Sequence, residues 1–456
     1  MSDWAAVDRV IAERMGSWTA ELVDFCAIPS EQNAPDALRE AAAWVERRLR
    51  MLGARVQTFE LEGVAPLVVG EIGSGPRVVN LVQHYDVQPA VPLELWTSPP
   101  YGPAVRDGRV YARGAANDKG PFLARVWGVE AYLATGAELP FRLRFLVEGE
   151  EEHGSPNLGA LFDLGPDLRT ADAALIEGGG VTDGGQPWLD CGVRGVLVVE
   201  LVARTARLDV HSSTAPIVPN AAARLVAALA TLRDEGGGIA LDGFLDAVQP
   251  PTPAVRAAVR ALPTDDLDSL RAVEGVERFV LDREGADAME ALYLEPTVNI
   301  QGLWSGYTEP GQKTIVPAEA HARLDLRLVP HQDPDAVSDA LRAHLDRRGF
   351  GDIELTRIAA GRPWWSPPDD PVVRAAVRAS EAVTEQAAAV SPSMPGGAPM
   401  WEVCSRGGVP NVSLGAGHSD CRIHAPDENF RLSDAADSAR IVARFIDTYG
   451  EPAPAG

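Results

Sequence analysis

A short apolar run, Arg77–Gln83, is followed by His84, Tyr85 and Asp86. An imidazole with a carboxylate two residues later suits a metal ligand and the group that orients it; taken alone, it suits a structural hydrogen-bonded pair as well. Tyr111–Gly120 is a glycine-punctuated loop that presents Asn117 and Asp118 where a helical pattern begins, a place where either could simply cap the helix. The apolar segment LRFLV then runs into Glu148, with Glu150, Glu151 and Glu152 consecutive just beyond it. Acids packed against a buried strand repel one another and lose hydration, so they call for a cation or a proton unless the loop is simply solvated. Glu177 follows the run AALI in the same way, and His424 lies in a turn-forming stretch before the last helical pattern. Together, two histidines and several carboxylates offer the nitrogen and oxygen donors taken by zinc, cobalt or manganese, rather than the thiolates of a structural zinc site.

Such residues act together only if elements bring them to one place. Helical spacing fits Trp4–Cys26 and Asp36–Leu52, with Gly53 as a stop. Strands are expected at Ala54–Leu61, Pro66–Ile72 and Arg77–Gln83, a helix at Gly120–Thr135, a strand at Arg142–Val147, a helix after Ser155 and a strand at Ala173–Ile176. Gly70–Gly75 has the wrong glycine spacing for a dinucleotide loop and reads as a hairpin turn. This alternation predicts an α/β/α sandwich, and in an open sheet of that kind ligands bind beyond the carboxyl ends of the strands. From Arg194 the pattern changes to two strand–helix–strand units, with a loop-rich acidic stretch over Asp234–Leu294, and after the proline-rich Gly361–Pro371 the strand–helix alternation returns. The expected organisation is therefore a catalytic domain in two segments, 1–193 and 361–456, with a smaller α+β domain inserted at 194–360.

Composition narrows the partners. Of 456 residues, 46% are hydrophobic and 23% charged, and 41 basic against 65 acidic residues give a net charge of −24. A surface so negative repels phosphate backbones and anionic lipid heads, so neither nucleic acid nor membrane is expected as a partner. The four cysteines, Cys26, Cys191, Cys404 and Cys421, are scattered without a CxxC pair, which points away from a disulfide framework. The charged N-terminal stretch does not read as a signal peptide and no run is long enough to span a membrane, so the expected location is the cytoplasm.

The ordered motifs HxD, RGxxxDKG, EGxEExGS, a lone acid further on, RLxVHSS, TxxP-x9-R and a late HAPxE resemble the two-metal aminoacylase and carboxypeptidase family. Within it the chain is most similar to the carnosinase-type dipeptidases, and it also resembles succinyl-diaminopimelate desuccinylase and acetylornithine deacetylase. The resemblance implies a metallohydrolase domain with an inserted ferredoxin-like lid and dimerisation domain, a homodimer, and hydrolysis of dipeptides or N-acyl amino acids. The implied cofactor is a divalent metal, zinc first with manganese or cobalt as alternatives, one or two per chain. It further implies His84, Glu152, Glu177 and His424 as metal ligands with Asn117 at the bridging ligand position, Asp86 as the acid orienting His84, and Glu151 as general base. His211 is implied to stabilise the oxyanion across a dimer, and Thr314 and Arg327 to bind the substrate carboxylate. The sequence departs from the family twice: Asn117 stands where the family has a metal-bridging acid, followed by Asp118, and Ala398 stands where dipeptidase relatives have a serine. Either Asp118 takes over the bridge or one metal site is weakened. A biosynthetic deacylase or amide-forming relative, and a metal-compromised binding protein, are the alternative functions.

Overall fold

Val78–His84 is buried at every position, as expected of a strand covered on both faces. In the computed structural model, which describes residues 3–182, 184–264, 267, 270–271, 275–394 and 400–451, this strand lies inside a six-stranded sheet. The order across that sheet is Arg55–Phe59, Leu67–Ile72, Arg142–Glu148, Val78–His84, Ala173–Ile176 and Asn411–Ser413. The last four strands are mutually parallel, and the first two add on antiparallel. Helices Trp4–Cys26, Pro35–Met51, Lys119–Ala134, Pro371–Thr384 and Leu432–Gly450 supply the covering layers of an α/β/α sandwich. Large aromatics lock these helices together, with Trp18 stacked on Trp127 at 5.3 Å between centroids and Phe25 on Trp44 at 4.1 Å.

Gly70–Gly75 is not the hairpin turn that its glycines suggest. Gly70 lies within the Leu67–Ile72 strand, and the turn after it does not close a hairpin. The strands it joins are not neighbours, because Arg142–Glu148 pairs with Leu67–Ile72 on one side and Val78–His84 on the other. Glycines mark the turn but carry no information about a strand that arrives from elsewhere in the chain.

The described chain forms two compact units: one comprises residues up to Gly192, Trp365–Met394 and 400–451, the other Val193–Trp364. In the second, an antiparallel sheet runs in the order Thr297–Ser305, Glu319–Leu328, Gly195–Arg204, Glu354–Gly361. Leu197, Val199 and Leu201 alternate inward and meet helices Ala221–Ala230 and Pro334–Arg347 in a core of their own. Strand, helix, two strands, helix, strand is the ferredoxin-like order. The stretch expected as loop also holds two short helices, Pro253–Arg260 and Gly285–Leu294; Thr252 caps the first by accepting from the Val255 N–H at 3.3 Å.

Candidate metal centre

The chain leaves Val78–His84, forms Arg142–Glu148 on one side of it and then Ala173–Ile176 on the other. This reversal opens a crevice at the carboxyl end of the central strand, where open α/β sheets bind ligands. His84 is the last residue of that strand and is fully buried. Its Nδ1 lies 3.0 Å from the Asp86 carbonyl oxygen and 3.2 Å from Asp86 Oδ1, which leaves Nε2 facing the crevice. The same Asp86 carboxylate accepts from the backbone N–H groups of Glu151 at 3.2 Å and Glu152 at 2.9 Å. One buried acid thus sets both the ring of the first candidate ligand and the loop that carries the next two.

Around His84 Nε2 lie Glu177 Oε2 at 3.0 Å, Asn117 Oδ1 at 3.4 Å and Glu151 Oε2 at 4.0 Å. His84, Glu151 and Glu177 can each offer one donor atom, all within 4.8 Å of one another. A second group stands beside the first, with His424 Nε2 3.0 Å from Glu152 Oε2. Asn117 spans the two, because its Nδ2 donates to Glu152 Oε1 at 2.8 Å and lies 3.1 Å from His424 Nε2. Burial and the neighbouring Glu177 hold the Glu151 carboxyl well above its ordinary value. Burial draws the His84 imidazole down, but the charges of Glu177 and Asp86 outweigh it and keep the ring well above its ordinary value. For Glu152 burial acts upward, yet the hydrogen bond from His424 and the nearby His84 bring it below the usual range.

These features fit a divalent cation. The donors are imidazole nitrogens and carboxylate oxygens, the set suited to zinc or manganese. Acids outnumber bases in a buried space, where Glu177 and Glu151 share the single His84 ring at 3.0 and 4.0 Å. Buried carboxylates in excess of the bases beside them are costly unless a cation compensates them.

The profile of peptidase family M20/M25/M40 matches residues 81–448. The chain belongs to this family. Over 384 residues it is 28% identical to the beta-Ala-His dipeptidase of Rattus norvegicus, covering 80% of this chain and 74% of that protein. It is 27% identical over 453 residues to the cysteinylglycine-S-conjugate dipeptidase of Corynebacterium striatum, covering 96% of both. The crystal structure of an M20 family metallo-carboxypeptidase, Sso-CP2 from Sulfolobus solfataricus, superposes with a TM-score of 0.87 at 32% identity over 95% of this chain and 99% of that one. The protein is therefore a metallopeptidase, a hydrolase of amide bonds.

In this M20 peptidase the first unit gathers His84, Asp86, Asn117, Glu151, Glu152, Glu177 and His424. His211 and Thr314 are neighbours in the second unit, where strand Val210–His211 pairs with Ile315–Val316 and Thr314 Oγ1 lies 3.5 Å from His211 Nε2. Arg327 is apart from them. It sits near the far end of strand Glu319–Leu328, with its Nε 3.0 Å from Asp325 Oδ1. Ala398 lies outside the described residues.

Three positioning groups act otherwise than the sequence suggests or carried no assignment from it. Asp118 occupies the N-cap position of helix Lys119–Ala134 but does not cap it. Its Oδ2 instead accepts from the Gln83 side chain and from the His84 N–H at 3.3 Å, and burial pushes its carboxyl up to about 7. Arg125 donates to the carbonyls of Val82, Leu175, Ile176 and Leu414, which ties together the carboxyl ends of three parallel strands. Glu428 accepts from the N–H groups of Gly114, Ala116 and Asn117 at 3.1, 2.9 and 3.0 Å and from Arg113 Nη1 at 2.6 Å. The loop carrying Asn117 is thereby fastened to the segment carrying His424. A charge within the apolar stretch Pro121–Val129 is the one sequence signal for Arg125; for Glu428 it is the spacing from His424.

Proposed function

We propose that this peptidase is a dipeptidase that cleaves the amide bond of small peptides, with zinc as first candidate metal and manganese or cobalt as alternatives. The observation that carries the reading is the pair of donor groups facing each other across Asn117, with the Glu151 carboxylate beside them. His84, Glu177 and the Asn117 carbonyl oxygen would hold one cation, and Glu152 and His424 the other half of the site. A bound dication supplies a water of pKa lowered to about 7 and polarises the scissile carbonyl. Asp86 keeps the His84 ring in register. Glu151 takes the proton released in the attack and returns it to the leaving amine, the role of a general base that becomes a general acid. His211 would stabilise the oxyanion, and Arg327, whose planar fork matches a carboxylate, would bind the substrate's C-terminus with Thr314. The buried, unpaired cysteines accord with a cytoplasmic setting; no described helix is long and apolar enough to cross a membrane.

The distance along one strand favours a dimer. Arg327 and the His211–Thr314 pair lie toward opposite ends of a ten-residue strand, about 30 Å at 3.3 Å per residue. An extended dipeptide spans only about 7 Å. All three can touch one substrate if His211 and Thr314 come from a second copy, and exposed Ile300, Leu303, Trp304 and Ile358 on the sheet of this unit offer an apolar surface for one. Inactive His211→Ala and Glu151→Gln proteins should then recover part of their activity on co-assembly, since a mixed dimer holds one complete site. A verified heterodimer without recovery rules out sharing.

The substrate class is tested by offering the metal-loaded protein unprotected dipeptides and N-acyl amino acids in parallel. Dipeptide hydrolysis that is abolished by chelation and restored by zinc is expected. Cleavage of N-acyl amino acids alone would instead favour the deacylase, and turnover of neither would favour the metal-compromised binding protein.

A further inference from the structure

Among the described residues Asn117 is the one side chain that reaches both donor groups, and an amide has two unlike ends. Its Oδ1 faces His84 at 3.4 Å, and its Nδ2 faces Glu152 at 2.8 Å and His424 at 3.1 Å. A carboxylate in that position would give each group an anionic oxygen. The amide gives an uncharged oxygen to one and N–H hydrogens to the other, and turning it over merely exchanges the two. Either way one group receives a hydrogen-bond donor where a cation would need a lone pair.

Two further observations bear on which group closes. Glu152 already has donors, from Asn117 Nδ2 and from Gln88 Nε2 at 3.1 Å, with the His424 ring beside it. Glu177 Oε2, in the other group, pairs with the His84 ring at 3.0 Å, itself a candidate ligand. The group around Glu152 is thus held by amide N–H donors that offer a cation no lone pair, whereas the group around His84 is held by its own candidate ligands. Asp118, the only neighbouring acid in the loop, cannot make up the missing charge, because it is committed to Gln83 and to the His84 backbone.

We propose that Asn117 closes the Glu152–His424 half of the site to tight metal binding, so that this chain holds one firmly bound cation, at His84 and Glu177, where a bridging acid would support two. The proposal rests on the metallopeptidase reading above. It makes Asn117 a determinant of metal stoichiometry and separates this chain from relatives that carry an acid at that place.

The test uses the full-length protein, stripped with a chelator and equilibrated in zinc buffers, with bound zinc counted by mass spectrometry and folding checked by circular dichroism. The parent protein should bind one zinc tightly and a second at least the roughly 10–100-fold more weakly that disturbing a ligand's support already produces. Asn117→Asp should bind two. His84→Ala should lose the tight ion and His424→Ala should keep it, so the assignment stays testable even if Asn117→Asp folds poorly. Titration with cobalt(II), followed by its visible absorption, should saturate at one equivalent in the parent and at two in Asn117→Asp. Two tight ions in the parent, no gain in Asn117→Asp, or loss of the tight ion in His424→Ala would each overturn the proposal and leave the metallopeptidase reading standing. A parent protein that binds no zinc or cobalt at all would overturn both.

Discussion

The Glu151→Gln protein is expected to keep its fold and its bound metal and to turn over roughly 10²–10⁴-fold more slowly, the usual loss when general acid–base catalysis is removed. Its carboxylate is the acid near His84 that stands off, at 4.0 Å, while Glu177 approaches to 3.0 Å. The substitution keeps the shape of the side chain and the backbone hydrogen bond to Asp86 and removes only the capacity to carry a proton. Metal content by mass spectrometry and kcat on a dipeptide would be compared in the same preparation. Turnover close to that of the parent would reject Glu151 as the base, and loss of the metal would make it a ligand instead.

A second large effect is expected away from the chemistry. Arg113 and Glu428 are each only 1% exposed, and removing one partner of a buried ion pair costs about 3–5 kcal/mol because the other charge is stranded. Arg113→Met should therefore lower the free energy of urea unfolding by about that amount, with Arg113→Met combined with Glu428→Gln recovering part of it. The loss should depend on pH in a definite direction. Burial already holds the Glu428 carboxyl above its ordinary value, against the pull of Arg113 and the loop amides, and without Arg113 it rises further. Above the ordinary glutamate value of about 4.3 the unfolded chain then gives up a proton that the folded chain retains, so stability falls as pH rises. The deficit should be smaller in mild acid than in mild alkali. A loss within the ±0.5 kcal/mol of ordinary surface substitutions would show that the three loop amides alone satisfy Glu428.

What could be read from the sequence were the places where a buried run stops at an ionisable side chain. His84, Glu151, Glu152 and Glu177 all follow such runs, and the periodicity of those runs also gives the layered α/β architecture. Residues whose partners arrive from distant parts of the chain were not legible in that way. Asp118 read as a possible helix cap because nothing local shows that Gln83 and the His84 N–H lie within its reach. Glu428 and Arg125 act on backbone groups, which carry no sequence signature. The turn after Gly70 was misread for the same reason, since the strand that separates its two arms begins only at Arg142. Short helices such as Pro253–Arg260 were hidden by prolines and acids that usually signal loops, although here Pro253 starts the helix behind the Thr252 cap. Arg327 has a legible spacing from Thr314, but the spacing does not reveal that an intervening strand carries it away from His211.

The edge strand Asn411–Ser413 and the segment from His424 to Glu428 are encoded after the whole inserted unit, whereas the sheet they complete is otherwise finished by Ile176. At about 5–20 residues per second, a ribosome takes roughly ten to fifty seconds to travel from Ile176 to Asn411. Throughout that interval Ala173–Ile176 has an unpaired edge, the kind of edge that recruits strands from other chains, and Arg113 has yet to meet Glu428. His84 and Glu151 are already made, but the loop that holds Asn117 has nothing to fasten it and His424 does not yet exist. Translation order thus withholds a complete site until His424 has been synthesised, and it makes the late-arriving edge the step at which an unfinished molecule is most exposed to its neighbours.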